Sequence, residues 1–161
     1  MSDQGAVLGP ITLRHVGYLV AGILEVVVFL AVYRSPTPKT LALGLAASVL
    51  VAFMFLTTMH ERYSYGALVF LVLLIAERST LVTLVIFSIA FTLNLLAAAP
   101  PTSEIGALLP VGGTLGLIGS LTMFGVTVAV LVMLLRASSE DGDSSEPGEE
   151  PRSPDPTVAA T

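Results

Sequence analysis

Cysteine is absent from the 161 residues. That excludes disulfides and thiolate metal sites, and it leaves the redox compartment unreadable. Histidine is almost as scarce. His15 and His60 are the only two, far apart in sequence, and His60–Glu61 lacks the second histidine of a zinc helix motif. No metal and no cofactor is expected. Charge is sparse too: 12% of residues are Asp, Glu, Lys or Arg, about half the share of a soluble domain. With 54% hydrophobic residues and a mean hydropathy of +0.88, this is the composition of a membrane protein.

The formal charge of −5 is unevenly spread. Seven of the twelve acidic residues fall within 137–161, opposed there only by Arg152, and the remaining chain is close to neutral. This end, rich in Ser, Glu, Asp and Pro, has too little apolar surface to offset its ordering entropy, so 137–161 is expected to be a disordered acidic tail. Its charge argues against nucleic acid as a partner.

Five apolar stretches precede it. A hydrocarbon core of ~30 Å needs about 20 helical residues, and the stretches run over Val16–Tyr33, Thr40–Met59, Tyr63–Ala76, Thr80–Ala99 and Leu109–Leu135. None alternates apolar and polar residues as a barrel strand would. The expectation is an all-α, polytopic transmembrane bundle of about five spans over residues 1–136. The first stretch is not read as a signal peptide, because Glu25 interrupts it and no small-residue cleavage site follows.

Basic residues give the orientation. Placing Arg34, Lys39, Arg78 and Arg136 in the cytoplasm leaves only Arg14 and Arg62 outside within residues 1–136. The connection around His60, Glu61 and Arg62 is then extracytoplasmic, as is Pro100–Gly106, and the acidic tail is cytoplasmic.

Between Lys39 and Glu77 lie 37 residues, whereas two full spans need about 40 before any loop. The turn at His60–Tyr63 is therefore held at the membrane boundary or slightly below it. An ionisable group there needs a partner or a polar cavity, which is the default reason to suspect function. The plainer reading is that Arg62 reaches headgroups while the tyrosines join an aromatic belt.

The stretch Met59-His60-Glu61-Arg62-Tyr63, followed by a helix with Leu93-Asn94, resembles the C-terminal half of multi-spanning GT-C glycosyltransferases, bacterial relatives of dolichyl-phosphate-mannose mannosyltransferases. Members often carry such a "MHERY" string on an extracytoplasmic turn, then a short apolar helix, then a helix with "LN". The similarity covers roughly Phe53 to Leu96. It implies a polyprenyl-phosphate sugar donor, glycosyl (mannosyl) transfer on the extracytoplasmic side, and a plasma-membrane location. On that reading Arg62 suits a phosphate, because its planar fork holds two oxygens at once. His60 would donate to phosphate or sugar, Glu61 would accept sugar hydroxyls, and Tyr63 would offer an apolar face and one hydroxyl. The chain also departs from the family. Members are much longer and have an essential acid in an early outer loop, whereas the first connection here, Arg34–Lys39, holds no carboxylate. Without that general base no catalytic residue is assigned. The expectation is a C-terminal module that is not catalytic alone and whose partners are membrane lipid, the lipid-linked sugar, and an N-terminal glycosyltransferase half or another membrane subunit.

Two alternatives stand beside it: a small non-enzymatic membrane subunit, and a transporter-like protein with Glu25 as a proton site. Glu25 lies midway along the first stretch; its simpler reading is an acid, in its neutral form, bonded to a neighbouring helix. Asn94 is read as interhelical glue. Gly112, Gly116 and Ser120, at four-residue spacing and with Gly113, Gly119 and Gly125 nearby, are expected to let the last helix approach another closely.

Overall fold

A computed structural model describes residues 6–8, 11–56, 65–108 and 114–143. Two short strands, β1 (Ala6–Leu8) and β2 (Ile11–Thr12), pair antiparallel ahead of the first helix. The rest is helical: α1 (Leu13–Arg34), α2 (Pro38–Phe55), α3 (Tyr65–Val72), α4 (Arg78–Ala98), α5 (Ser103–Leu108) and α6 (Thr114–Asp143).

Local chemistry sets the element ends. At the start of α1 the ring Nδ1 of His15 accepts the Thr12 N–H at 3.3 Å, so one of the helix's orphan donors is satisfied by a side chain. Pro36 breaks the chain after α1, and Thr37 and Pro38 restart it: Thr37 Oγ1 accepts from Thr40 N–H, while Thr37 N–H donates to Thr40 Oγ1 at 3.0 Å. Thr40 is fully buried and also donates to the Ser35 carbonyl, which leaves the α1–α2 turn internally satisfied. The pair Pro100–Pro101 follows α4 and cannot continue it.

α2 is the central helix. Eight of its residues are buried, against three in α1, and it packs on α1, α3 and α6, while α4 closes the bundle against α3 and α6. Its buried face is built of small and aliphatic side chains, Ala42, Leu43, Gly44, Ala46, Ala47, Leu50 and Val51. Two glycines let α1 come close. A Cβ on Gly44 would lie 2.5 Å from Val32 Cγ2, and one on Gly17 would lie 2.5 Å from the Phe55 carbonyl oxygen. Outside this core, α1, α4 and α6 present Leu19, Ile23, Phe29, Val85, Ile89 and Leu121 to the surroundings. A soluble monomer would not tolerate an apolar surface of that extent. α1, α2, α4 and α6 are long and apolar enough to cross a membrane, and the chain is an integral membrane protein.

Three sequence expectations need adjusting. Within the described residues the third stretch is helical only over the eight residues of α3, so four helices, not five, are long enough to span. The connection at Pro100–Gly106 is not a plain loop, because α5 begins within it, with Glu104 in its favourable first turn. The last helix does not stop at Arg136: α6 runs seven residues further, into the expected tail. Ala137 is buried there, and the Ser138 hydroxyl donates to the Ala31 carbonyl of α1 at 2.8 Å. Acidic residues in the last turn oppose the helix dipole, so tertiary anchoring carries this extension. Residues 144–161 lie outside the described part.

Candidate functional site

The bundle has two chemically distinct ends. Lys39 Nζ lies 2.8 Å from Glu77 Oε1, which fixes the start of α2 level with the start of α4. Ser138 on Ala31 brings the end of α6 to the end of α1, and Thr80 Oγ1 lies 3.9 Å from Met133 Sδ across α4 and α6. Arg34, Lys39, Arg78 and Arg136 are thereby gathered at one end. The opposite end holds Arg14, whose Nε donates to the Tyr18 hydroxyl at 2.8 Å.

The residues with the strongest sequence signal, His60, Glu61, Arg62 and Tyr63, lie outside the described residues. Their flanks are well placed. α2 has eighteen residues and rises about 27 Å from the basic end. The return limb is shorter. The eight residues of α3 rise about 12 Å, and beyond Val72 the chain tightens into i→i+3 bonds (Leu74 to Leu71, Ile75 to Val72, Glu77 to Leu74) that add about 8 Å. Tyr65 therefore stands about 20 Å above the Lys39–Glu77 level. Its ring lies 6.2 Å from that of Phe91, which is itself fourteen residues beyond Glu77, or about 21 Å. The two measures agree. Measured from the Lys39–Glu77 level, α3 therefore begins about 10 Å short of the ~30 Å that a hydrocarbon core requires.

Glu25 and Ser48 form the polar pair at mid-depth. The Ser48 hydroxyl donates to Glu25 Oε2 at 2.6 Å. Glu25 is nine residues before Arg34 and Ser48 nine residues after Lys39, so each lies about 13 Å from the basic end. The reading of Glu25 as a side chain bonded to a neighbouring helix is met. Ser48 was not anticipated, and the matching depths were the signal that could have found it.

Asn94 packs on α6. A Cβ on Gly119 would lie 2.8 Å from Asn94 Oδ1, so Asn94 meets the bare backbone of the last helix. The glycine that allows this close approach is thus Gly119, beside the expected row, and not Gly116. Gly116 has no described neighbour within 4 Å of a Cβ position, Ser120 is exposed and donates to the Gly116 carbonyl at 2.9 Å, and Gly112 lies outside the described residues. Four-residue spacing defines a stripe on a helix, but the rotation of α6 against α4 turns a different face inward.

Among the described residues, no three His, Asp or Glu side chains gather as metal ligands would. The arrangement offers one carboxylate–hydroxyl pair at mid-depth, one amide against a glycine, and an ion pair closing the basic end. Comparison with protein-family models, curated proteins and solved structures finds no match. The class defined by fold and site is a polytopic helical membrane protein.

Proposed function

We propose that the chain is the donor-binding C-terminal module of a lipid-linked-sugar glycosyltransferase, holding a polyprenyl-phosphate sugar at His60–Tyr63 and acting with a partner that supplies the catalytic acid. One observation carries the reading. The Lys39–Glu77 pair ties both ends of the α2–α3 hairpin to the basic end, and the short return limb leaves Tyr65 about 10 Å short of a full crossing. His60, Glu61 and Arg62 belong to the eight residues that connect Leu56 to Tyr65, and this reading sets them against a lipid phosphate. Charges in such a place call for a charged or polar ligand. The reading puts the basic end in the cytoplasm of a plasma membrane by the positive-inside rule, with the tail beside it and the donor head on the opposite face.

The test is isothermal binding of a short-chain polyprenyl-phosphate sugar to the purified chain, wild type against Arg62→Ala. Loss of a charge-assisted bidentate contact predicts affinity weaker by about tenfold or more. Equal affinities would remove the phosphate assignment.

A second reading, a non-enzymatic membrane subunit, is favoured by a different observation. The described intramembrane polar side chains are engaged in packing, Glu25 with Ser48 and Asn94 against Gly119. Co-purification from native membranes separates the two: a glycosyltransferase half with an outer-loop carboxylate supports the first, and an unrelated membrane complex supports the second.

A further inference from the structure

Glu25 has a second oxygen to place. Oε2 accepts the Ser48 hydroxyl at 2.6 Å, and Oε1 takes no hydrogen bond among the described residues. No described polar side-chain atom is buried without a partner, and Glu25 is only half-buried, so Oε1 reaches the surface of the bundle. It does so about 13 Å from the basic end, where acyl chains supply neither donors nor acceptors. The residues beside Glu25 along α1 are Tyr18, Gly22 and Phe29, all three exposed. Tyr18, Gly22, Glu25 and Phe29 follow one another at steps of four, three and four residues. That is the seam two parallel helices share at a crossing angle of about 20°. Gly22 opens a notch in it. No described atom lies within 4 Å of a Cβ there, and Tyr18, Leu19, Gly22, Ile23, Val26 and Val27 line a groove of about 390 Å³.

We propose that this face of α1 is the contact between two copies of the chain, packed in parallel about a two-fold axis along the membrane normal, with the Glu25 side chains of the two copies bonded to each other. Such an axis sets identical residues at one depth, so the unpaired oxygen of each chain meets its own counterpart. The group is self-complementary. In its neutral form a carboxyl has an O–H donor beside its acceptor oxygens, so one copy donates and the other accepts while both keep their Ser48 bonds. Gly22 of each copy meets the same residue just ahead of this pair, and the missing side chains let the two backbones come close. An acyl chain would fill the notch but leave both oxygens unpaired, which is the costlier arrangement. The inference goes beyond the donor-binding reading and does not rest on it.

The experiment is energy transfer between labelled copies of the full chain in liposomes, with lipid added to dilute the protein. A monomer–dimer equilibrium is expected. Glu25→Ala and Gly22→Leu should each weaken it by about threefold or more. Gly22→Leu should leave thermal stability in detergent unchanged, since a Cβ at 22 meets no described atom of its own chain. Glu25→Gln should keep the dimer, because an amide also donates and accepts. Ser48→Ala should keep it too, which separates the contact between copies from the bond within one. A single cysteine replacing Phe29 should cross-link two copies on oxidation, and one replacing Ile89, exposed on α4, should not. A chain that stays monomeric at every dilution overturns the proposal. So does unchanged association in both Glu25→Ala and Gly22→Leu, a loss in Ser48→Ala as large as in Glu25→Ala, or cross-linking at position 89 in preference to 29.

Discussion

Ser48 donates its hydroxyl to Glu25 Oε2 at 2.6 Å, joining α1 and α2 at the same depth from the basic end. Both helices are otherwise apolar at this level, so each group's alternative is an unsatisfied polar atom in hydrocarbon. A double-mutant cycle of Glu25→Ala and Ser48→Ala, read by reversible unfolding in bicelles, should give a coupling of about 0.6 to 2 kcal/mol. Glu25→Gln keeps a carbonyl acceptor and should lose less stability than Glu25→Ala. Additive single mutants would show that the bond contributes nothing. Proton-coupled flux lost in Glu25→Gln with stability retained would instead favour the transporter reading.

Gly119 and Gly116 should respond differently to the same substitution. Ala at 119 places a methyl 2.8 Å from Asn94 Oδ1, and overpacking of this kind destabilises by about 1–3 kcal/mol. Ala at 116 meets no described atom within 4 Å and should be neutral, or stabilising by up to about 1 kcal/mol through helix propensity. Asn94→Ala should relieve the loss at Gly119→Ala. Equal effects at the two glycines would contradict the α4–α6 packing described.

Gly17→Ala should be harsher. The obstructing atom is the carbonyl oxygen of Phe55, which is backbone and cannot rotate away as a side-chain amide can. Loss of more stability than at Gly119→Ala is expected by the same unfolding assay.

Four of the five expected spans were legible because length and apolar composition define what can cross a bilayer; the third stretch, helical over only eight described residues, was not. The grouping of Arg34, Lys39, Arg78 and Arg136 was equally readable from charge. At Ser48 and Gly119 the missing information was how one helix is rotated against another. Ser48 looked like an ordinary serine in an apolar run until α2 was placed beside α1. Gly116 and Ser120 formed the better stripe, yet Gly119 faces the neighbour. The helix end at Arg136 was drawn from composition, and composition does not report that Ala137 is buried or that Ser138 reaches Ala31. The paired strands before α1 had a faint signal in Gly9–Pro10, a turn dipeptide between short apolar runs.

Two truncations should separate the anchored part of the acidic end from the remainder. Removing residues 144–161 leaves Ala137 in the core and the Ser138–Ala31 bond intact, and thermal stability should hold. Removing 137–161 takes both away. Loss of one buried methyl and one hydrogen bond amounts to about 1–3 kcal/mol, visible as a lower melting temperature. Equal melting of both truncations would show that the last turns of α6 contribute no stability.

The absence of cysteine makes the orientation directly measurable, because any introduced thiol is the only one. Single cysteines at Arg34, Arg78 and Arg136 should react with a membrane-impermeant maleimide from the same side of sealed vesicles, and a cysteine at Arg14 from the other. The first three are grouped by the Lys39–Glu77 pair and the Ser138–Ala31 bond; Arg14 is one full length of α1 away. All four are exposed, so reactivity reports sidedness and not burial. If Arg34 and Arg136 label from opposite sides, α1 and α6 do not run in the same direction, and the two-ended bundle fails. If the three label together but from outside the cell, the bundle stands while the donor-binding reading loses its face, since His60–Tyr63 would then open to the cytoplasm.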